Sequence, residues 1–504
     1  MNVKVTNLSE TATFRGQRGQ ITAFNAGGST PYDAYVTSVD GYHVYLDVWV
    51  SQKLSIAESK SDAEKLLRVI DEITDIASTS ATVDDIWLFE VQGLRIHVFV
   101  DASQCNAVSV GRLLAFASYM TKSIDKRVRR IAGDDYQGTC MAAAHGHAVV
   151  LSTGREGDDS LISFGDAANR PAKRLGRDDI SDGHLVIPMD VANQSPLLEA
   201  TRAQQSGNTW CHIDVLHGAF PNFLSKEEVK TLEALVESLT PDGTANRIVN
   251  FAATIDGVVN LEAGTVREPT VANGLVFRAD LHGFTKRVEE ASMRGDQALQ
   301  AVVGEFLLIM QIPDAFEKVI GQPATRLPWA GDCYNAVFFL KNGQQYRDLR
   351  ENVLPITCLR WHDPDGQVNS TRSDDLRKIA VRQQWSVGVS GGDNAGRVLL
   401  ANVQTPHRQF MVAAGWAVKH SFEAQNTSGL GEGESAVHHE DHAQMCQPFK
   451  DTFDSWDGGR GYRKAAKENL GSAAAEEVKK LTAEKVVGSV TAPHIQVSSR
   501  PYCG

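Results

Sequence analysis

Short apolar runs and amphipathic stretches alternate along the N-terminal half of the chain, and their spacing predicts mixed secondary structure. Residues 20–24 and 34–37 have the character of an extended hairpin, and the apolar run 43–50 has the length of a strand. A helix is predicted next, because Ser61 and Glu64 have capping-box spacing. Its apolar face consists of residues at helical spacing, namely Leu66, Leu67, Ile70, Ile73 and Ile76.

A hairpin, a second helix and another strand complete this half. Residues 86–89 and 95–100 are predicted to be strands on either side of a turn at Gly93, and residues 108–131 a helix. Residues 141–151 are predicted to be the next strand, and a Gly-rich turn then precedes a short helix. The predicted order is strand, helix, hairpin, helix, strand, helix.

The C-terminal half repeats this order. The matching segments are 43–50 with 275–281, the Gly93 hairpin with 326–340, 141–151 with 385–400, and the segment from Gly165 with 412–418, and residues 296–319 are predicted to be largely helical. Because collinear matches of this kind rarely arise by chance, we interpret the chain as a degenerate tandem repeat. Residues 176–245 are interpreted as a connector with one helix capped at 225–228, and residues 465–487 as a helix before a polar tail.

Composition limits the class of protein. The chain has 504 residues, of which 42% are hydrophobic, and this is enough for more than one core. Its net charge of -12 argues against a nucleic-acid binder, since such proteins need basic surfaces. The seven cysteines are scattered without a C-x-x-C pair, as in proteins with reduced thiols. With a polar N-terminus and no long apolar stretch, we expect a cytoplasmic protein without membrane insertion.

Three short motifs carry the candidate chemistry. The C-terminal half contains ADLHGFT, with Asp280 at the end of a predicted strand, and AGD, with Asp332 in a predicted hairpin turn. Two carboxylates on adjacent strands can hold two metal ions for phosphoryl chemistry. The third motif, GDAAN, lies in the N-terminal half and ends at Asn169.

Together these motifs resemble the dispersed signature of class III nucleotidyl cyclases. The resemblance implies two α/β (α+β, ferredoxin-like) cyclase homology domains, packed head to tail with the nucleotide between them, as a dimer fused into one chain. We expect domain 1 at residues 1–200, a helical connector at 201–245, domain 2 at 246–430, and a C-terminal loop, helix and tail at 431–504.

The resemblance also implies the ligands of two Mn²⁺ or Mg²⁺ ions. These are the carboxylates of Asp280 and Asp332 and the backbone carbonyl of Leu281. The backbone amides of the following turn are expected to bind the β- and γ-phosphates. That turn consists of Gly283, Phe284 and Thr285.

Domain 1 is implied to act on the transferred phosphoryl group. Asn169 matches the asparagine that stabilises the transition state. Lys173, four residues later, stands where the family has arginine, and this spacing places both side chains on one helix face. Lysine supplies charge without the bidentate fork of arginine. Arg174 is adjacent, and either cation can reach the phosphate on sequence grounds.

The mirror-image combination does not match the signature. Domain 1 keeps Asp47, but Leu94 replaces the second metal ligand, and Leu cannot bind a hard cation. Domain 2 has Lys419 and Glu423 where asparagine and arginine are needed. We therefore expect one active composite site and one degenerate site, whose role is structural or regulatory.

Base selection in the family depends on positions that are Glu90 and Ile162 here. Glu90 argues against ATP, and a carboxylate can accept a hydrogen bond from guanine, cytosine or uracil. The chain resembles the pyrimidine cyclases of bacterial antiphage defence, which make cyclic UMP or cyclic CMP for a separately encoded effector. The alternatives are a guanylate or adenylate cyclase, or a catalytically dead protein that senses a nucleotide.

Residues 438–442, with the sequence HHEDH, also resemble a metal cluster. They lie in a Gly/Ser-rich stretch without a supporting ligand pattern, and we interpret them as a solvated loop.

Overall fold

The computed structural model of the chain describes two domains. The described residues are 18–22, 33–80, 86–152, 161–175, 179–195, 205–206, 209–217, 247–252, 259–260, 265–266, 268–281, 283–294, 298, 302, 325–327, 333–339, 354, 389–405, 409–426, 430, 434–445, 447–455 and 461–466.

The first domain is a nine-stranded sheet with helices. Its strands are β1 (Arg18–Thr22), β2 (Asp33–Val50), β3 (Ile86–Gln92), β4 (Arg95–Asp101), β5 (Tyr136–Ser152), β6 (Leu161–Phe164), β7 (His184–Pro188), β8 (Gln205–Ser206) and β9 (Trp210–Asp214). Its helices are α1 (Gln52–Ser55), α2 (Lys60–Ser80), α3 (Ala107–Ala132), α4 (Asp166–Arg174) and α5 (Met189–Ala192). The sheet order is β3-β4-β2-β5-β7-β9-β8, with β1 paired to β2 and β6 to β5.

The second domain repeats this topology. Its strands are β10 (Asn250–Ala252), β11 (Val259–Asn260), β12 (Thr265–Val266), β13 (Thr270–Leu281), β14 (Thr325–Arg326), β15 (Tyr334–Phe339), β16 (Val389–Gln404), β17 (Gln409–Ala414), β18 (Glu434–His438), β19 (Asp454–Ser455) and β20 (Tyr462–Ala466). Its described helices are α6 (Phe284–Arg294), α7 (Trp416–Asn426), α8 (His439–His442) and α9 (Gln447–Lys450). The sheet order is β14-β15-β13-β16-β18-β20-β19, with β17 paired to β16 and β10 to β13.

The two sheets match position for position. In both, the fourth and fifth strands of the order pair in parallel, and the other pairs along that order are antiparallel. The predicted fold class is therefore confirmed: two pseudo-symmetric α/β domains with mostly antiparallel sheets in one chain.

Helix α2 joins the two domains through the largest apolar core. The five apolar residues predicted for its inner face are fully buried, and the same core contains Leu399 and Phe410 of domain 2. At its edge, Arg247 pairs with Asp71 at 2.9 Å. Burial raises the pKa of Asp71 to about 6, although the charge of Arg247 opposes this shift. The domains thus share one hydrophobic interior.

Two local predictions differ from the structure. The capping box of α2 uses Ser59 and Asp62, whose backbone amides each donate to the other's side chain at 3.1 and 3.2 Å. Ser61 already lies inside the helix and cannot cap it. Residues 34–50, predicted as two extended pieces, belong to one continuous strand, β2.

The sheets also extend beyond the expected domain limits. Strand β9 pairs with β7, so residues up to Asp214 belong to the first sheet where a connector is expected. Strands β18, β19 and β20 likewise add C-terminal residues to the second sheet. The helix expected after residue 225 lies outside the described residues, as does nearly all of the helix at 296–319. The C-terminal helix expected at 465–487 begins inside β20, and its remainder lies outside them.

None of the helices in the described part of the chain has both the length and the apolar character needed to cross a bilayer.

Candidate functional site

The start of α4 in domain 1 meets the start of α6 in domain 2. The Asn169 side-chain amide donates a hydrogen bond to the Thr285 hydroxyl. Nearby, the Asp166 backbone amide donates to Glu289 at 2.5 Å. The rings of Phe164 and Phe284 pack edge to face, with centroids 5.3 Å apart. Two segments predicted to form one site are therefore in direct contact.

The turn between β13 and α6 has free space beside its backbone at Gly283. Gly283 has φ +70°, a conformation that favours glycine, and a Cβ there would meet no atom within 4 Å. The Phe284 side chain is only 2% exposed, so the turn can offer backbone amides but not the Phe284 ring. The first amides of a helix have no partners within the helix and attract anions. This geometry suits the predicted phosphate contacts, whose role stays a prediction.

Asp280 lies at the end of the central strand of domain 2. It is the penultimate residue of β13, is partly exposed, and is followed by Leu281, the last residue of the strand. Strand β13 pairs with β15 up to Ala279 opposite Tyr334, so the next position across from Asp280 is Cys333. Carboxylate oxygens are among the ligands that hard cations prefer. Asp332 lies outside the described residues, and its metal role stays a prediction.

The two candidate cations on α4 have different surroundings. Arg174 is buried and donates two hydrogen bonds to Asp179, at 2.6 and 2.7 Å. It also lies 2.9 Å from His212 and over the ring of Trp210. Lys173 is exposed one turn after Asn169. Because Arg174 is held by partners within domain 1, Lys173 is the better candidate for the phosphate contact that the sequence left open between the two.

Glu90 is 6% exposed on β3 and accepts a hydrogen bond from Gln92. Although β3 is an edge strand, Glu90 is not a surface residue. A register shift between Leu88 and Glu90 places Glu90 opposite His97. The bulge changes the alternation of side chains at this point. Phe89 and Glu90 thus both reach the face that carries His97, since the Phe89 ring also packs on His97.

Three residues beside Glu90 were not predicted from the sequence. Tyr45 stacks on His97 with ring centroids 4.1 Å apart, and its hydroxyl bonds to the Ser163 side chain. Burial raises the pKa of Tyr45, and the charge of Glu90 adds to this shift. The position of Tyr45, two residues before Asp47 on the same face of the strand, is a signal that could have identified it.

Ile162 lies on the other side of β6 from Ser163, because successive side chains of a strand alternate. Ile162 is 1% exposed, and its counterpart in domain 2, Val412, packs into the main core. The strand contributes Ser163 to the Glu90 cluster, and the predicted base contact of Ile162 stays a prediction.

A cleft between the domains contains the degenerate set. A cavity of about 440 Å³ is lined by residues of both domains, including Asp47, Leu94, Lys419 and Glu423. Arg95 donates two hydrogen bonds of 2.6 Å to Asp47. Asp47 thus pairs with Arg95 in this cleft, and Lys419 lies 3.8 Å from Glu423.

Residues 438–442 do not form a solvated loop, as the sequence pattern had indicated. His438 ends β18 and is buried, and Asp441 is fully buried in α8. The loop interpretation was wrong because His438 belongs to β18, and β18 pairs with β20, which does not follow it directly in sequence. This pairing covers the segment.

No family model and no curated protein matches the sequence. Among solved structures, the chain is similar to a class III adenylyl cyclase-like ATP-binding protein from Pseudomonas aeruginosa, with 16% identity, a TM-score of 0.62, and coverage of 87% of this chain and 91% of that chain. Lower TM-scores of 0.28 are found for two others. The adenylyl cyclase CyaB from P. aeruginosa has 19% identity over 40% of this chain and 95% of that chain. A bacterial light-regulated adenylyl cyclase has 12% identity over 86% and 97%. The first similarity shows that the chain has the class III cyclase fold.

Proposed function

We propose that the chain is a nucleotidyl cyclase that converts a nucleoside triphosphate to its 3′,5′-cyclic nucleotide and pyrophosphate. The observation that carries this proposal is the contact between Asn169 of domain 1 and Thr285 of domain 2. It joins the candidate transition-state residue to the candidate phosphate turn, and Asp280 lies at the strand end before that turn.

In this reaction the ribose 3′-oxygen attacks the α-phosphorus as the bond to the β-phosphate oxygen breaks. The Asn169 amide donates to the charge that develops on the α-phosphoryl oxygens, with Lys173 adding positive charge. The amides of Gly283, Phe284 and Thr285 hold the β- and γ-phosphates. Two Mn²⁺ or Mg²⁺ ions, bound by Asp280, Asp332 and the Leu281 carbonyl, would lower the pKa of the 3′-hydroxyl and neutralise the triphosphate.

The preferred substrates in this proposal are UTP and CTP. The Glu90 carboxylate can accept from the N3–H of uracil or the amino group of cytosine, and it stands where the ATP-using members of the family that the chain resembles have lysine. Tyr45 and Ser163 are the polar groups beside Glu90, whereas Ile162 faces the other side of β6. The cyclic nucleotide would act as an antiviral signal for a separately encoded effector.

A nucleotide-binding protein without turnover is the second candidate. It is favoured by the similarity in fold to a protein described as cyclase-like and ATP-binding. Replacing Asp332 by Ala separates the two functions. The cyclase predicts loss of product with an unchanged melting temperature, whereas a binding protein has no product to lose.

The experiment is incubation of the purified full chain with each of the four nucleoside triphosphates and Mn²⁺, followed by mass spectrometry of the products. We expect cyclic UMP or cyclic CMP. Product from ATP or GTP alone would contradict the pyrimidine preference but not the cyclase. Absence of any product, together with saturable ATP binding, would favour the second candidate.

A further inference from the structure

Three histidines gather where the last strands of the second sheet meet α7. His438, at the end of β18, packs against His420 with ring centroids 4.2 Å apart, and against the neighbouring His439 at 4.3 Å. Trp416 packs edge to face on His438 at 5.1 Å. His438 is thereby held in a ring cluster, while His439 and Glu440 are exposed beside it.

The side chains of His438, His439 and Glu440 converge. One ligand atom from each lies within 4.8 Å of the others. Bonds of about 2.0–2.2 Å to a common ion would require closer spacing than this, so small rotations of exposed side chains are needed. His439 and Glu440 can make them because both are exposed, whereas His438 is fixed and would set the position of the ion.

The backbone around Gly461 prepares His439 for such a bond. The Gly461 carbonyl accepts from the His439 backbone amide at 2.6 Å and lies 3.2 Å from His439 Nδ1. Because a carbonyl only accepts, this contact places the proton on Nδ1 and leaves the Nε2 lone pair available. Gly461 has φ +89°, and a Cβ there would lie 2.5 Å from His439 Nδ1. A larger residue at position 461 would therefore separate the β19–β20 hairpin from the His439 imidazole.

The bond made by His438 Nδ1 is weak. The Glu440 backbone amide reaches this atom at 3.4 Å, which is beyond the usual range for a hydrogen bond of this type. A metal ion that takes this lone pair therefore replaces one long hydrogen bond from the Glu440 amide.

The donor set selects the class of ion. Two imidazoles and one carboxylate suit Zn²⁺ and its neighbours Co²⁺ and Ni²⁺, whereas Mg²⁺ and Ca²⁺ prefer oxygen ligands alone. Three protein ligands leave a fourth tetrahedral position for water.

We propose that His438, His439 and Glu440 bind one transition-metal ion, with Zn²⁺ as the best match, at the junction of β18 and α8. The ion clamps α8 to the end of the strand. Tyr462, opposite His438 on β20, donates to Glu423 of the degenerate cleft, so the clamp also stiffens one wall of that cleft.

The test uses the full chain, stripped of metal with a chelator and then dialysed against limiting Zn²⁺ in excess Mg²⁺, which occupies oxygen-rich sites. We expect one zinc per chain and, with Co²⁺ instead, the visible absorption of a four-coordinate ion. His439→Gln and Glu440→Gln each remove one ligand at an exposed position, so both variants should fold. Each should weaken zinc binding by at least about tenfold.

The matched control is His217→Gln, which removes an exposed histidine 3.5 Å from Asp214, another carboxylate. It should leave zinc content unchanged, as should Asp280→Asn at the candidate catalytic site. Zinc should raise the melting temperature of the wild type but not of His439→Gln. The proposal is overturned if the wild type retains no zinc, or if His439→Gln retains as much as the wild type.

Discussion

The two composite sites between the domains are built from equivalent elements, and they differ first in the surroundings of Asp47 and Asp280. Asp47 on β2 lies opposite Arg95, and the guanidinium holds both carboxylate oxygens at 2.6 Å. At the equivalent position across from Asp280 stands Cys333, which carries no positive charge. A cation that belongs to the chain thus occupies the Asp47 carboxylate, while the strand position across from Asp280 carries no cation.

The helices that face these carboxylates differ in the same way. Asn169 on α4 reaches across to Thr285 in the other domain. Its counterpart Lys419 on α7 pairs with Glu423 of its own helix at 3.8 Å. Glu423 is also a hydrogen-bond acceptor for Tyr462. The comparison shows that the degenerate site keeps the equivalent elements, while Asp47 pairs with Arg95 and Lys419 with Glu423.

The largest effect on turnover is expected from substitution of Asp280, with Asp47 as the matched position. Asp280→Asn should lower turnover by at least about 10³-fold, since it removes a proposed ligand of the two metal ions, which would stabilise several kcal/mol of transition-state charge. The matched change Asp47→Asn should leave turnover within about twofold. Initial rates with the preferred triphosphate measure both. Equal losses in the two variants would refute the asymmetry of the clefts.

Asn169 on α4 and Lys419 on α7 provide the second test. Asn169→Ala should reduce kcat by about 10²-fold with little change in KM, because the amide acts on charge that develops in the transition state. Lys419→Ala, at the equivalent position of the degenerate cleft, should not change kcat. A rise in KM at constant kcat for Asn169→Ala would instead assign this residue to ground-state binding.

The internal ion pair provides a test of stability rather than activity. Arg95→Met leaves the Asp47 carboxylate in a cleft without its partner, and should lower the free energy of unfolding by about 2 kcal/mol. Arg294→Met breaks an exposed pair with Glu290 and should cost less than about 0.5 kcal/mol. Urea unfolding measures both. The double variant Asp47→Asn with Arg95→Met should recover part of the loss, and a further additive loss would contradict the pairing.

The last test concerns the acid stability of domain 1. His43 Nδ1 and His97 Nε2 lie 3.0 Å apart in the buried face, and burial lowers the pKa of both. The folded state therefore favours neutral histidine, so this stability is present above the ordinary value of about 6.5 and is lost as the pH falls below it. The free energy of unfolding changes by at most about 1.4 kcal/mol per pH unit for each histidine.

Domain 2 has Val276 and Asn335 at the equivalent positions, so the acid sensitivity should belong to domain 1. His43→Leu should flatten the dependence of unfolding free energy on pH below 6.5, whereas the exposed His217→Leu should not. An unchanged slope in His43→Leu would assign the acid sensitivity to other groups.

The sequence was sufficient for the order of elements because hydrophobic periodicity is a local property. The inner face of α2 and the hairpin at Gly93 are as predicted, and the repeat appears in both sheets. The capping box of α2 was displaced by two residues, since Ser59 and Ser61 offer the same hydroxyl and only the helix start distinguishes them. The outer strands β9 and β20 were not predicted, because their partners are distant in sequence.

The candidate site was predictable to a similar extent. Motif spacing identified Asn169 and the turn at Gly283, and the structure brings Asn169 into contact with Thr285. Tyr45 and Ser163 were missed, because neither belongs to a motif and their bond joins strands that are remote in sequence. The same limit applies to residues 438–442, whose burial depends on β20.

By itself the sequence determined the tandem repeat and the division of the metal and asparagine motifs between its halves, since both depend on residue order. Only the tertiary structure decided which charges meet: Arg95 with Asp47, Arg174 with Asp179, and Lys419 with Glu423. The physical reason is that electrostatic interactions depend on distance and burial in space. Two sites with similar sequence motifs therefore differ in chemistry, because folding brings a different side chain beside each carboxylate.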